Sequence, residues 1–296
     1  PWGPFEKSPH GPLIDHRSVV SPFAAVGHAD FTDTPSGEWR AVCHGIRPIT
    51  SWGLHVLGRE TLLAPVTWRG DGWPQVGDDG VVPKQLPSLT EESAPVVADE
   101  AIHERFLGKR LGDEWTFVRQ PLTDDELLAT PGRLTLRADG AFLDGPTPCF
   151  VGRRQQHAAF TARTRLVDAP KGESDEAGLT VRMNRTHWFT IGTRRRGDRL
   201  QIVLRQRAAH LDLLTELGET EVEDVELTVV ADSSGRYTFS ARGCRSDAAW
   251  QSQPLSAALL STEIAGGFTG VFLGLFATSL ASPSAAVGFD RFEEIV

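Results

Sequence analysis

The chain has 296 residues, 40% of them apolar, and its 30 basic side chains are outnumbered by 39 acidic ones, for a net charge of −9. That balance argues against a nucleic-acid partner, because phosphate binding needs a cationic surface that releases counterions. The most apolar stretch, 266–277, is far shorter than the roughly 20 residues a bilayer demands, so no membrane partner is expected.

At roughly 150 residues per domain the length suggests two domains. The chain starts at Pro1 and its single methionine is Met183, so a processed or cut chain, or part of a longer gene product, is expected. The first 80 residues are rich in Trp, Pro, Gly and His, with short strands expected at 39–43 and 60–68 between long irregular loops of the kind that carry function. A Pro- and acid-rich stretch over 81–98 suits a linker. Residues 99–111 could form one short helix, so the whole connector is placed at 81–114.

From 115 to 296 the pattern changes to period-2 alternation, the mark of strands with one buried face. Phe160, Ala162, Thr164 and Leu166 face one way, and Thr161, Arg163 and Arg165 the other. Leu200, Ile202 and Leu204 repeat the pattern, as do Val225, Leu227 and Val229, and then Tyr237, Phe239 and Ala241. Further strands are expected at 133–137, 148–152, 177–183, 187–193, 269–277 and 286–295. About ten strands with turn signals such as Gly197-Asp198 and Ser234-Gly235 predict an all-β chain ending in a two-sheet sandwich.

The common catalytic signatures are missing. There is no P-loop or nucleophile elbow, and His103-Glu104 lacks the second histidine of a zincin. Cys43, Cys149 and Cys244 are odd in number and widely separated, so they read as buried thiols rather than a disulfide framework or a zinc site, and they do not assign a compartment. Arg194-Arg195-Arg196 beside Gly197-Asp198 reads as a solvated hairpin tip. The triplet Asn184-Arg185-Thr186 fits a glycosylation sequon but sits near a strand end and carries no weight.

The informative segments begin with Gly27-His28-Ala29-Asp30-Phe31, Gly45-Ile46-Arg47-Pro48 and Leu57-Gly58-Arg59-Glu60-Thr61. They continue through Pro65-Val66-Thr67-Trp68, Gly72-Trp73-Pro74, 115–121, Gly152-Arg153-Arg154-Gln155-Gln156-His157, Glu176-Ala177-Gly178-Leu179 and Phe268-Thr269-Gly270. Together and in this order the sequence resembles glycoside hydrolase family 43, in the β-xylosidase/α-L-arabinofuranosidase branch that carries a C-terminal sandwich. The resemblance implies the last blades of a five-bladed β-propeller over 1–80 and a lectin-like, concanavalin A-like jelly-roll over 115–296. That jelly-roll would lend a loop to the sugar pocket.

An inverting mechanism needs two carboxyl groups across the scissile bond, roughly 6.5–9.5 Å apart. Asp30, Glu38 and Glu60 lie in the right region but match none of the family's three catalytic carboxylates, so no catalytic residue is assigned. Three positions match binding roles. Arg59 resembles the arginine that hydrogen-bonds the terminal pentose; a guanidinium offers five fixed donors to sugar hydroxyls, and the structural alternative is a strand arginine paired with a carboxylate. His28 resembles the histidine at the propeller axis, which in some relatives helps hold a central calcium through water. Calcium prefers oxygen ligands, so a pocket-lining role is favoured over a metal role, and no cofactor is assigned. Phe268, after Gly266-Gly267, resembles the aromatic that the sandwich inserts over the sugar, with core packing as its alternative. Trp68 and Trp73 are expected to pack the blade, and 152–157 to serve fold and domain contacts.

The resemblance thus implies the C-terminal part of an inverting exo-glycosidase acting on terminal xylosyl or arabinofuranosyl residues, inactive as an isolated chain. Its partners would be xylo- or arabino-oligosaccharides and the missing N-terminal blades, and a homo-oligomer is compatible with the family. The competing class is a non-catalytic carbohydrate-binding or interdomain contact module, since jelly-rolls recur as lectin domains.

Overall fold

The computed structural model describes residues 2–51, 53–86, 101–138, 140, 142–279 and 286–296. Four strands come first: β1 (Ala24–Asp33), β2 (Trp39–Ile46), β3 (Glu60–Trp68) and β4 (Pro74–Val76). They form an antiparallel meander in the order β1-β2-β3-β4, the shape of a propeller blade. β1 is bulged twice, with register shifts between Ala24 and Gly27 and between Gly27 and Asp30. Ala25 and His28 take positive φ values of 48° and 53° there. Bulges interrupt strict alternation, which is why the sequence reads as loop where this strand lies.

The remaining strands are β5 (Ile102–Glu104), β6 (Leu127–Thr130), β7 (Arg133–Arg137), β8 (Phe150–Arg154), β9 (Phe160–Asp168), β10 (Glu176–Asn184), β11 (His187–Arg196) and β12 (Arg199–Ala208). After them come β13 (Leu211–Thr220), β14 (Val225–Asp232), β15 (Arg236–Gly243), β16 (Ala249–Gln251), β17 (Leu255–Ser256), β18 (Phe272–Thr278) and β19 (Ala286–Ile295). They build a six-stranded sheet, β13-β12-β11-β10-β18-β8, facing a nine-stranded one whose main path is β16-β15-β14-β9-β19-β7-β6. Among the described residues the one α-helix is the single turn Thr262–Ala265, and no helix is long and apolar enough to cross a membrane.

Burial alternates along β9 and β14, as expected for strands with one face on the core. β10 behaves differently and is buried at eight successive positions, Glu176 to Met183. Its inner face packs into the main core with Phe189, Phe239 and Phe289. Its outer face is roofed by a second apolar cluster that includes Leu143, Phe150, Trp188 and Phe276. Gly178 and Gly192 sit back to back across β10 and β11. A Cβ on Gly178 would lie 2.6 Å from the Gly192 Cα, so side chains there would force the two strands apart.

Three expectations need correction. Residues 102–104 form a strand on β19, not a helix. Ile102 and Phe106 both pack on the sandwich core, so their helix-like spacing of four serves an open sheet edge instead. Residues 87–100, which include most of the expected linker and the start of that helix, lie outside the described residues. The arginines at the β11–β12 turn are not all solvated either. Arg194 donates to the Ser174 hydroxyl at 3.0 Å, and Arg195 to the Pro170 carbonyl at 2.9 Å and to Glu223 at 3.0 Å, leaving only Arg196 with a mostly exposed side chain. Cys43 and Cys149 are buried as expected, whereas Cys244 is half-buried, and none of the three forms a disulfide.

Candidate functional site

Blade and sandwich meet along the segment between β2 and β3. Val56 and Leu57 leave the blade and are buried in the main core of the sandwich. From there the backbone runs beside the loop that follows the helical turn. The His55 carbonyl accepts from Thr262 N–H at 3.1 Å, the Val56 carbonyl from Val271 N–H at 2.7 Å, and Arg59 N–H donates to the Phe268 carbonyl at 3.2 Å. Two glycines permit this approach. Gly58 (φ +73°) and Gly270 (φ +81°) face each other so closely that a Cβ on Gly270 would meet the Leu57 carbonyl carbon at 2.5 Å.

The seam is tightened by Arg154, whose guanidinium donates to the main-chain carbonyls of Leu57 and of Arg59, the latter at 2.9 Å. Next to it, Gln155 accepts from the buried Tyr237 hydroxyl at 2.7 Å and donates to the His157 carbonyl at 2.9 Å. The Gln156 carbonyl accepts from Arg47 at 3.2 Å. The 152–157 motif thus has the fold and domain contacts expected of it. Across the seam, the His55 ring and backbone N–H both reach the Glu263 carboxylate, at 2.6 and 3.1 Å.

This seam brings Arg59 and Phe268 together although 209 positions separate them. The Arg59 guanidinium carbon lies 4.1 Å from the centre of the Phe268 ring. Among the described residues Arg59 makes no ion pair, so the carboxylate-paired alternative is not realised and its donors are available. Phe268 is 63% exposed, and its alternative, core packing, is filled by Phe272 and Phe276 instead. A cleft of about 350 Å³ bordered by Arg47, Arg59, Glu60, Arg154 and Gln156 opens beside the stacked pair.

His28 stands on the bulge of β1, where its left-handed backbone turns the ring out of the strand's regular alternation. It lies 5.8 Å from the ring of His44, a β2 residue that sequence reasoning passed over. Burial pushes the His44 imidazole down, and the charges of Arg59 and His28 add to the shift, so at neutral pH His44 is uncharged, with one ring nitrogen free to accept. Its signal in the sequence was positional: His44 is paired across the sheet with Gly27, next to the candidate His28. His28, His44, Arg59 and Phe268 thus form a run of neighbours from the blade to the 266–270 loop.

Of the three carboxylates weighed from the sequence, Asp30 stands exposed on β1, and the other two are occupied. Glu60 receives two hydrogen bonds from Arg47, both at 2.8 Å, and Glu38 pairs with Arg40 at 2.8 Å. Among the described residues no group of three or more His, Cys, Asp and Glu side chains converges on a metal position. Two neighbouring imidazoles do not offer calcium the oxygen ligands it prefers, so neither ring suits a direct bond to it. Trp68 packs edge-on against Trp39 at 5.5 Å and stays half-exposed on the blade.

With this geometry in view, comparison with known proteins identifies both parts of the chain. Residues 1–74 match the family model "Glycosyl hydrolases family 43", and residues 103–293 match "Beta xylosidase C-terminal Concanavalin A-like domain". The chain is 37% identical over 303 residues to a protein named non-reducing end alpha-L-arabinofuranosidase from Bacteroides ovatus, covering 99% of this chain and 55% of that one. It is 29% identical to a putative beta-xylosidase of Escherichia coli, covering 98% of this chain and 58% of that one. The chain therefore spans about half the length of the curated relatives it matches. A solved structure titled "Bacteroides ovatus Xyloglucan PUL GH43B" superposes with a TM-score of 0.84 at 34% identity, over 99% of this chain and 58% of that one. A xylan beta-1,4-xylosidase from Bacillus halodurans gives 0.85 at 22% identity, a likeness of fold, over 99% of this chain and 58% of that one. The blade-like sheet followed by a concanavalin A-like sandwich is this family's all-β architecture, and the chain belongs to glycoside hydrolase family 43, in the branch that carries the C-terminal sandwich.

Proposed function

We propose that this chain is the C-terminal portion of an inverting exo-glycosidase that removes terminal xylosyl or arabinofuranosyl residues from plant-wall oligosaccharides. In this reading Arg59 grips the terminal sugar through its unpaired guanidinium, Phe268 covers the sugar's C–H face, and His28, beyond His44, lines the wall on the blade side. The observation that carries the reading is the stacking of Arg59 on Phe268 across the seam, because it puts a polar clamp from one domain under an aromatic lid from the other. A capped pocket of this kind accepts one chain-end sugar and not the middle of a polymer. The names of the relatives, arabinofuranosidase and xylosidase, support a pentoside.

The general acid and base are assigned to the propeller blades that would precede this chain. Glu60 and Glu38 are held by arginines, which fits a structural role. Losing both proton-transfer groups forfeits about 10²–10⁴-fold each, so the 296-residue chain alone is expected to show no turnover on aryl xylosides or aryl arabinofuranosides. Co-expression with the preceding blades is expected to restore it. In that assembly Arg59→Ala should raise KM by at least about tenfold, the loss of one charge-assisted contact to the sugar. Robust turnover by the isolated chain would overturn the division of labour. Binding of xylo-oligosaccharide unchanged by both Arg59→Ala and Phe268→Ala would favour a non-catalytic carbohydrate-binding module instead.

A further inference from the structure

A second cleft lies on the outer face of the six-stranded sheet, with a volume of about 290 Å³, bordered by Thr116, Arg119, Arg182, Arg185, Thr269 and Phe272. Its lining contains three arginines and no carboxylate. Arg182 is the unusual member. It projects from β10 between its cross-strand neighbours Trp188 and Phe272, and its guanidinium carbon lies 5.7 Å from the centre of the Phe150 ring. The residue is only 7% exposed. Of its five N–H donors, Nη2 alone finds a protein acceptor, the Leu143 carbonyl at 3.3 Å, and the buried Nε has none. Arg182 forms no ion pair among the described residues, and burial lowers its pKa to about 10. Arg119 and Arg185 stand exposed at the rim.

A guanidinium buried among aromatic rings without a counter-charge is destabilising, and the cost is relieved when a planar oxyanion takes up its donors. We propose that this cleft binds the carboxylate of a hexuronate sugar, with Arg182 forking the carboxylate at the base and Arg119 and Arg185 closing over it. Phe272 and Phe117 present apolar faces for the pyranose C–H bonds, and the Thr116 and Thr269 hydroxyls remain for its hydroxyl groups. A cleft of this size is at the small end for ligand pockets and holds about one sugar. The choice of a sugar as the bearer of the carboxylate rests on the glycosidase reading; the need for an oxyanion rests on Arg182 alone. Thr269 follows Phe268 directly, so the loop that carries the lid over one sugar also borders the cleft for the charged one.

The test is a calorimetric or NMR titration of the 296-residue chain with D-glucuronate and D-galacturonate, set against glucose, acetate and inorganic phosphate. The expected result is that one uronate binds at least about tenfold more tightly than glucose and than acetate. Arg182→Met should abolish that preference while raising the ligand-free Tm, because an apolar chain replaces an unpaired buried cation. If Arg182→Met does not fold, Arg119→Ala, an exposed change, should still weaken uronate binding severalfold. Uronate binding no tighter than glucose, or unchanged by these substitutions, overturns the site. Equal binding of acetate or phosphate overturns its assignment to a sugar. Arg59→Ala should leave uronate binding intact, so failure of this site and failure of the pentoside reading would be told apart.

Discussion

The blade and the sandwich solve the burial problem on different scales. The blade's own core is six buried residues, Ala41, Cys43, Ala64, Val66, Val76 and Val82, and His28, Ala29 and Asp30 on β1 are exposed. The sandwich fills the space between its sheets with whole aromatic side chains, including Phe189, Phe239, Phe289 and Phe292, and roofs its outer face with Trp188. A core as small as the blade's is marginal by itself. Its connector compensates by inserting Val56 and Leu57 into the neighbour's core. Within the described residues, the blade is thus anchored to the sandwich through this connector.

The harshest way to break this comparison is Trp188→Ala. Removing a fully buried indole should cost about 3–5 kcal/mol and lower the Tm by roughly 10 °C, with blade and sandwich melting together in calorimetry. Gly270→Ala should cost roughly 3 kcal/mol, from the positive φ and the 2.5 Å clash with Leu57, but should separate the two transitions because only the seam is hit.

Glu294→Gln tests the sandwich alone. Burial raises this carboxyl to about 7, against the pull of Arg153. A raised carboxyl pKa means the unfolded chain binds fewer protons between 4.5 and 7, so stability falls as pH rises through that window and stays reduced above it. Denaturant titrations should show Glu294→Gln gaining roughly 2 kcal/mol at pH 8 and about nothing at pH 4. The smallest effect belongs to Glu263→Gln. Burial works to raise Glu263, yet the His55 backbone N–H and ring outweigh it and hold the group below the ordinary glutamate value of 4.5. The stability it adds is present above 4.5 and is lost as pH falls below it. On a partly exposed pair this is worth below about 1 kcal/mol, read as a shallower acid limb in the variant.

Much of this was legible in the sequence where one physical cause dominates. β9 and β14 alternate because one face meets the core and the other meets water, and both were located from that alone. β13 escaped notice because it is an edge strand: Leu211 and Leu213 are exposed, and its pairing with β12 slips between Ile202 and Val203, so its leucines follow no single face. β10 and β11 read only faintly because burial on both sides erases alternation. Arg59, Phe268 and His28 were named only through resemblance, since the nearness of Arg59 to Phe268 depends on the fold bringing distant loops together. His44 and Arg182 had no such guide. Each is a polar residue inside a strand, and only its surroundings distinguish it from an ordinary one.

Arg154 holds the blade by two main-chain oxygens, those of Leu57 and Arg59, and reads no side chain in doing so. The neighbouring contacts of Arg59 N–H and Val271 N–H are likewise backbone to backbone. These backbone contacts place few demands on residue identity beyond the two glycines, so the side-chain demands of the joint concentrate on Arg154, the buried Val56 and Leu57, and the His55–Glu263 pair. Elsewhere the two domains can diverge in sequence while keeping this joint, and sandwiches exchanged between relatives that keep those residues should dock on foreign blades with the 266–270 loop already in register.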